Sequence, residues 1–336
     1  MVSAKKDRRK LIIFLVFLLI FSTILSGCGK IEDSSNENVS KSTFLLNTYV
    51  TVTLYSGNES LANQCIGECK KYEKIFSRTD PESELYALNE ADTMEVSPEL
   101  LEVITEALSY CKLTDGAFDI TLGGVSDLYS FSSEEPQVPS EIELAEAMSH
   151  IGYEKILIEG NTVTILDPET VLDLGAIAKG YIADRLAEFL ILNGESSALI
   201  DLGGNIMCVG IKPDGSSFKI GLQYPFKDSS KLIGTVKVSD RSVVTAGIYE
   251  RCFESDGVFY HHILDPKTGR PYDNGLLSVS IISESSMHAD ALSTACFSLG
   301  LEKGLKLINS LPHAEAVFVD KDYGLHYSND ISKYLE

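Results

Sequence analysis

KILIEGNTVTIL, Lys155–Leu166, is soon followed by VLDLGAIAKGYIADRLAEF, Val171–Phe189, and these two stretches decide the fold class. The first has β-branched and aliphatic residues on both sides of a Gly-Asn pair, which predicts two strands joined by a tight turn. The second predicts a β-like run that ends near Leu174, a turn at Gly175 and then an amphipathic helix. In this part of the chain a predicted hairpin of two strands is therefore followed by a helix.

The rest of the chain follows the same order. Further strands are predicted over residues 44–55, 217–222, 231–238, 242–246, 258–264, 276–283, 314–319 and 324–328, and helices over 60–76, 98–113, 141–150, 286–299 and 301–310. Strands that succeed one another through turns favour an α+β fold of mainly antiparallel sheets with packed helices over a doubly wound parallel sheet. We expect one compact unit over residues 43–336, with room for two lobes.

The N-terminus predicts export and a lipid anchor. Residues 1–27 have a cationic start and an apolar run, Leu11–Leu25, that is short for a membrane span and suits a signal peptide. The sequence LSGC resembles a lipobox, in which Cys28 is acylated and the preceding peptide is removed. An uncleaved signal anchor with an incidental cysteine is the alternative. Residues 28–42 are polar and predict a flexible tether, so we expect the protein on the outer face of the cell membrane.

The charge of the chain restricts its partners. The formal charge is −21. Removing residues 1–27 removes five Lys or Arg residues and one Asp, which leaves −25. Such a surface repels polyanions, so nucleic-acid binding is not expected. Any phosphate ligand needs a local device such as a metal ion, a helix N-terminus or a single lysine.

The cysteines indicate no zinc site. Besides Cys28, six cysteines are scattered along the chain without a CxxC pair, at positions 65, 69, 111, 208, 252 and 296. Zinc sites usually show closely paired ligands. We expect mostly buried free thiols.

The turn after Val171 could bind an anion. The GAIAKGY sequence reverses the Lys and Gly of a P-loop and lacks its hydroxyl residue, and no GxGxxG is present. What remains is a run that ends at Asp173, a glycine, and a helix with Lys179 in its first turn, an arrangement that can hold phosphate at a helix N-terminus. A plain strand-to-helix corner with a solvated lysine is the alternative.

Four other segments could contribute chemistry. In SMHADALSTACFSLG, Asp290 and Thr294 share a helix face and offer the hard oxygen ligands that Mg²⁺ prefers, although an ordinary capped helix explains them too. In YHHILDPKTGRPY, His261 and His262 precede a turn and could supply a general base. GAFDITLGGV and DLGGN each place an acid beside glycines, which suits close approach of a ligand or a simple turn.

In order along the chain, these segments resemble the FAD:protein FMN transferase family, also called the ApbE family. The resemblance extends from about residue 44 to the last strands and is carried by six blocks, FDIT, LDLGAIAKGYIAD, LIDLGGN, VVTAGIYER, HHILDPKTGRP and ADALSTACFSLG. It implies an enzyme that breaks the pyrophosphate of FAD with Mg²⁺, attaches FMN to a Thr or Ser hydroxyl of an acceptor protein, and releases AMP. Exported electron-transfer proteins are the expected acceptors.

The resemblance also implies roles for particular residues. His262 corresponds to the residue that activates the acceptor hydroxyl. The implied Mg²⁺ ligands are Asp290, Thr294 and the carbonyl of Ala176, and the implied FAD-contacting residues are Leu46, Ala117, Phe118, Asp119, Asp173, Lys179 and Leu264.

The sequence departs from the family pattern at three places. Leu46-Asn47-Thr48 stands for Met-Gly-Thr, Asp201 and Asn205 exchange the usual Asn and Asp, and Thr245-Ala246-Gly247 lacks one hydroxyl. None of these changes touches the implied metal ligands or His262. A Mg²⁺-dependent FAD pyrophosphatase and a flavin-storing lipoprotein are the alternative functions.

Overall fold

A central eight-stranded sheet organises the residues that the computed structural model describes, 37–226 and 231–335. From edge to edge, and numbered along the chain, its strands are β1 (Val39–Leu45), β2 (Thr48–Leu54), β6 (Ser197–Leu202), β7 (Asn205–Gly210), β10 (Arg241–Gly247), β13 (Leu276–Ser283), β14 (Ala314–Asp320) and β15 (Leu325–Tyr327). Every neighbouring pair is antiparallel. The predicted α+β fold with mainly antiparallel sheets is therefore confirmed.

Three small antiparallel sheets accompany the large one. They pair β3 (Thr93–Glu95) and β4 (Ile156–Glu159) with β5 (Thr162–Ile165), β8 (Phe218–Gln223) with β9 (Leu232–Val238), and β11 (Cys252–Ser255) with β12 (Val258–His261). Glu159 pairs with Thr162 across the Gly-Asn turn, as the sequence predicts.

The helices are α1 (Glu59–Phe76), α2 (Glu84–Ala91), α3 (Pro98–Leu113), α4 (Gly123–Tyr129), α5 (Glu141–Ser149), α6 (Ala178–Leu192) and α7 (Ser286–Ile308). The side chain of Ser97 accepts a hydrogen bond from the Leu100 amide, and Pro98 is the first helical residue of α3, the usual way to begin a helix. Gly300 has φ 76° and ψ 173°, which are not helical angles, so α7 consists of two helices that meet in a kink there, as the sequence predicts. None of the helices in the described ranges is long and apolar enough to cross a membrane.

The core lies on both faces of the large sheet. Val244, Ile281 and Phe318 belong to the main cluster that includes α6 and α7, whereas Val243 and Ile282 belong to a second cluster under β8 and β9. This alternation follows from the two-residue period of a strand. All eight residues of β13 are consequently buried. The six cysteines after residue 36 are free thiols, and all but the half-buried Cys252 are buried, as predicted.

Some local predictions are wrong. Residues 44–55 form two strands rather than one, because Leu46 and Asn47 adopt left-handed backbone angles in a two-residue turn, a geometry typical of hairpins. Strand β1 begins at Val39 and includes the last residues of the predicted tether. Helix α4 has no counterpart in the sequence prediction.

Two differences concern the candidate site. The run before Gly175 is not a strand, since only Val171 forms an isolated bridge, with Leu122. The Asp173 carboxylate instead accepts the Gly175 amide and turns the chain, as Asp side chains commonly do. Strand β12 ends at His261 rather than at residue 264, so His262 lies just outside it. Cys28 and the signal peptide lie outside the described residues.

Candidate active site

The crossing of α6 and α7 is the structural base of the site. A Cβ atom added to Gly180 would lie 2.2 Å from the carbonyl oxygen of Ser286 and 2.7 Å from the Cα of Met287. Real Cβ atoms do not approach backbone so closely. Glycine at position 180 therefore allows the first turns of the two helices to touch.

Asp184 fixes the start of α7 against α6. Its carboxylate accepts the backbone N–H groups of Ser286 at 2.7 Å and Met287 at 3.0 Å, and the Ser285 hydroxyl at 2.8 Å. Burial raises the pKa of Asp184, whereas these hydrogen bonds favour its charged form. A carboxylate that binds the free amides of a helix N-terminus stabilises that end.

Asp290 lies one turn further along α7 and points at the start of α6. It is only 4 % exposed. One carboxylate oxygen accepts the Gly180 amide at 2.9 Å, and the other lies 3.7 Å from Nζ of Lys179. Lys179 also donates to the Gly175 carbonyl at 3.0 Å. The acid and the lysine are thus held together by the turn that precedes α6.

Two further oxygen atoms are left free for a ligand. Because the Gly180 amide is bonded to Asp290, the Ala176 carbonyl, four residues before Gly180, accepts no hydrogen bond from the described residues. The half-buried Thr294 lies one helical turn after Asp290, and within residues 37–226 and 231–335 its hydroxyl has no hydrogen-bond partner either.

These oxygen atoms fit a hard cation. A buried carboxylate, a hydroxyl and a carbonyl are the ligand types of Mg²⁺, which usually completes its coordination with water and substrate phosphates. In the described part of the chain no three His, Cys, Asp or Glu side chains are grouped as a metal site. The set thus contains one carboxylate only. It suits an ion that is bound together with an anionic substrate.

The two adjacent histidines have different environments. His261 is 3 % exposed; its Nε2 donates to the Tyr272 carbonyl at 3.0 Å and its Nδ1 accepts the Ile263 amide at 3.3 Å. Both nitrogens are therefore used by the backbone, and the ring is neutral. Burial lowers the pKa of His261 to about 4. Its role is structural.

His262 keeps one nitrogen available. Its Nδ1 faces the Arg251 carbonyl at 3.3 Å, and since a carbonyl can only accept, Nδ1 carries the proton and Nε2 has a free lone pair. Desolvation is the main reason that the pKa of the half-buried His262 is lowered to about 3, and the positive charges of Arg251 and Lys179 add to the effect. The Lys179 charge therefore acts on both His262 and Asp290.

Asp173 joins this group through the turn before α6. Its carboxylate accepts the Gly175 amide at 2.8 Å and Nε of Arg78 at 2.9 Å, and its own amide donates to the Ile120 carbonyl at 2.8 Å. The FDIT block thus lies beside the turn that carries Ala176.

The other residues implied to contact FAD are more distant or already engaged. The Asp119 carboxylate accepts the Thr121 amide and hydroxyl and the Tyr153 amide, and burial raises its pKa. The Ala117 carbonyl accepts the Tyr272 hydroxyl at 2.9 Å. Phe118 is buried in the main core. The implied contacts of this block with FAD stay a prediction.

Leu264 and Leu46 lie in different parts of the core, and Leu46 packs against the main cluster. Leu264 is buried in a separate cluster with Tyr129 and Leu144. The Leu46 amide donates to Glu73 of α1 at 2.6 Å. Their predicted roles in FAD binding stay untested.

Sequence reasoning missed two residues of the site, Arg78 and Asp184, whose contacts are described above. Asp184 could have been found, because it lies four residues after Gly180 on the helix that the sequence predicts. Arg78 comes from a distant segment and carried no local signal.

A buried carboxylate with free oxygen donors beside one available imidazole nitrogen is typical of enzymes that carry out metal-assisted group transfer. The chain belongs to the ApbE family, whose model matches residues 46–318. The resemblance read from the six sequence blocks is thereby confirmed.

Relatives with known names share most of the chain. The FAD:protein FMN transferase of Klebsiella pneumoniae (strain 342) is 35% identical over 294 residues, which cover 86% of this chain and 91% of that protein. The FAD:protein FMN transferase of Treponema pallidum (strain Nichols) is 34% identical over 324 residues, 89% of each chain.

Solved structures agree with the fold. The flavin transferase ApbE from Vibrio cholerae superimposes with a TM-score of 0.80 at 29% identity, over 89% of this chain and 99% of that one. The ApbE protein from Thermotoga maritima superimposes with a TM-score of 0.82 at 32% identity, over 89% of this chain and 100% of that one.

Proposed function

We propose that this protein is an FAD:protein FMN transferase that moves FMN from FAD to a Thr or Ser hydroxyl of an acceptor protein and releases AMP. The observation that supports this most is the junction of Asp290 with Gly180 and Lys179, because it sets a buried carboxylate and a lysine side by side at the turn that carries the Ala176 carbonyl. The relatives named above carry the same activity in their names.

His262 is the general base of the proposed reaction. Its Nε2 accepts the proton of the acceptor hydroxyl, the hydroxyl oxygen bonds to the FMN phosphorus, and the bond from that phosphorus to AMP breaks. A hydroxyl is a weak nucleophile, and a positioned base typically accelerates its attack by about 10²- to 10⁴-fold. The hydrogen bond of Nδ1 to Arg251 keeps the ring oriented for this step.

Lys179 and the turn before α6 bind the pyrophosphate side of FAD. Nζ of Lys179 is the positive charge that faces Asp290, and on a protein with a formal charge of −21 an anion needs such a local positive charge. Asp290, Thr294 and the Ala176 carbonyl would hold Mg²⁺. When bound, Mg²⁺ neutralises negative charge on the transferred phosphoryl group and on AMP.

Incubation with FAD, Mg²⁺ and a flavin-domain acceptor from the same genome tests the proposal. Transfer predicts covalent flavin fluorescence on the acceptor in a denaturing gel together with AMP. Free FMN and AMP without label would instead support a pyrophosphatase. Bound FAD that stays intact would support storage.

We also propose that the protein is anchored at Cys28 on the outer face of the cell membrane. The support is the lipobox-like LSGC sequence after an apolar run. Cys28→Ala should release the protein from the membrane fraction or leave its signal peptide attached. Unchanged membrane retention with a mature N-terminus would contradict the anchor.

A further inference from the structure

Arg78 connects three segments around the proposed FAD site. It follows α1, and its side chain is only 18% exposed. Nε donates to Asp173 at 2.9 Å, and a terminal nitrogen donates to Asp127 of α4 at 2.9 Å. A guanidinium has a rigid fork of donors, which suits it to hold two carboxylates at fixed directions.

The two segments that Arg78 joins already lie close to each other. The Asp173 amide bonds to the Ile120 carbonyl, and the Gly123 amide bonds to the Val171 carbonyl at 3.0 Å. Leu122 and Val171 form a parallel bridge. A Cβ atom on Gly123 would lie 2.6 Å from the Val171 oxygen. The start of α4 and the chain before Gly175 are therefore bonded to each other through their backbones, and Arg78 adds a side-chain bond to each of them.

We propose that Arg78 is a positioning residue for FAD binding, which fixes Asp173 and the turn from Gly175 to Lys179 against α4. This inference rests on the proposed function. One carboxylate oxygen of Asp173 is bonded to the Gly175 amide and the other to Arg78. Loss of the guanidinium leaves the second oxygen without its partner, so the carboxylate is free to turn away from the Gly175 amide.

Loss of the Arg78 side chain should affect the position of Lys179 through the backbone of Gly175. Gly175 donates its amide to Asp173 and accepts Nζ of Lys179 with its carbonyl. The same peptide segment therefore connects the Arg78 salt bridge to the lysine beside Asp290. The imidazole of His262 belongs to the β11–β12 region and is connected to Arg251 instead. Arg78 should consequently affect FAD binding more than the transfer step.

A double-mutant cycle tests the proposal. The variants are Arg78→Ala, Asp173→Asn and the double variant, with FAD affinity from equilibrium titration and KM and kcat from acceptor labelling. Arg78→Ala should weaken FAD binding and raise its KM by about 10- to 100-fold, the loss expected for a charge-assisted hydrogen bond, with a smaller change in kcat. The double variant should be no weaker than Asp173→Asn alone, because contacts that act through one another are not additive.

Control variants separate this role from general folding. Arg78→Lys keeps one charge but cannot reach both carboxylates with a fork, so it should recover part of the affinity. Arg241, the first residue of β10, forms a salt bridge with Glu284 in which the nitrogen and oxygen are 2.8 Å apart. Arg241→Ala removes this salt bridge and should leave FAD affinity unchanged.

The results have defined meanings. The positioning role is overturned if the effects of Arg78→Ala and Asp173→Asn on FAD affinity add fully in the double variant. It is also overturned if Arg78→Ala raises KM and lowers kcat by the same factor. If Arg78→Ala does not fold, the same comparison with Arg78→Lys decides. If the wild-type protein shows no transfer, the proposed activity is contradicted. If Arg78→Ala still weakens FAD binding in that case, the positioning role is supported independently of the activity.

Discussion

The two sides of the site are built in different ways. The Asp290 side lies where α6 crosses α7, and both helices pack on the large sheet through the main core. The His262 side follows a two-stranded sheet outside the large one, and its ring is oriented by the Arg251 carbonyl. Metal and FAD binding should therefore depend on the rigid core, whereas hydroxyl activation depends on a small separate element, and mutations should separate the two functions.

The largest effect is expected for Asp290→Asn. The amide can still accept the Gly180 N–H, so the helix crossing should persist, but the negative charge is lost. Since a bound metal contributes several kcal/mol to such reactions, acceptor labelling should fall by at least about a hundredfold. Labelling kinetics at saturating Mg²⁺ measure this, with the exposed Asp322→Asn as control. Unchanged rates would remove Asp290 from the site.

His262→Ala should slow acceptor labelling by about 10²- to 10⁴-fold, the usual contribution of a general base. FAD affinity should change much less, because the ring belongs to the other side of the site. Single-turnover labelling and FAD titration measure the two effects separately. Equal losses in both would argue that His262 binds FAD instead.

Gly180→Ala tests the crossing itself. The added methyl meets the Ser286 carbonyl, so the helices must separate, and the free energy of unfolding should fall by about 1–3 kcal/mol, as is typical of overpacking. Gly67, in α1, is a matched control: its Cβ would meet no atom within 4 Å, so Gly67→Ala should stabilise the protein by up to about 1 kcal/mol. Urea unfolding compares them. Equal effects of the two substitutions would show that the crossing is loosely packed.

The smallest effect concerns pH. The pKa of His261 is about 4 in the folded protein and about 6.5 in an unfolded chain. Below pH 6.5 the unfolded chain binds more protons, so this ring makes the protein less stable as the pH falls towards 4. Between pH 7 and 5.5 the loss is about 1 kcal/mol.

His261→Gln should reduce this loss, measured as the change in unfolding free energy with pH. His313→Gln, at an exposed position after α7, should keep the wild-type slope. A slope that His261→Gln does not alter would mean that the ring is not held neutral.

Most of the fold could be predicted from local sequence. Helices α1, α3 and α7 and the Gly-Asn hairpin follow from apolar periodicity and capping residues, and they lie within a few residues of their predicted bounds. The turn at Leu46-Asn47 was not predicted, because neither residue is glycine, although both adopt left-handed backbone angles. The turn that the Asp173 carboxylate makes with the Gly175 amide stands where the sequence predicts the end of a strand.

The site was predicted in part, for a physical reason. Asp290 and Thr294 share one helix and Lys179 lies in the first turn of another, so periodicity made them candidates, and the family resemblance implied their roles. Their meeting at Gly180 depends on long-range packing, which a linear pattern does not contain. Arg78 lies 95 residues from Asp173, and no local rule connects two residues at that separation.

One measurement tests the separation of the two sides most directly: titration of FAD with and without Mg²⁺ in the wild-type protein, His262→Ala and Asp290→Asn. Mg²⁺ should tighten FAD binding equally in the wild-type protein and His262→Ala, and should have no effect in Asp290→Asn. An equal Mg²⁺ effect in all three proteins, or its loss in both variants, would contradict the division of roles between the helix crossing and the β11–β12 region.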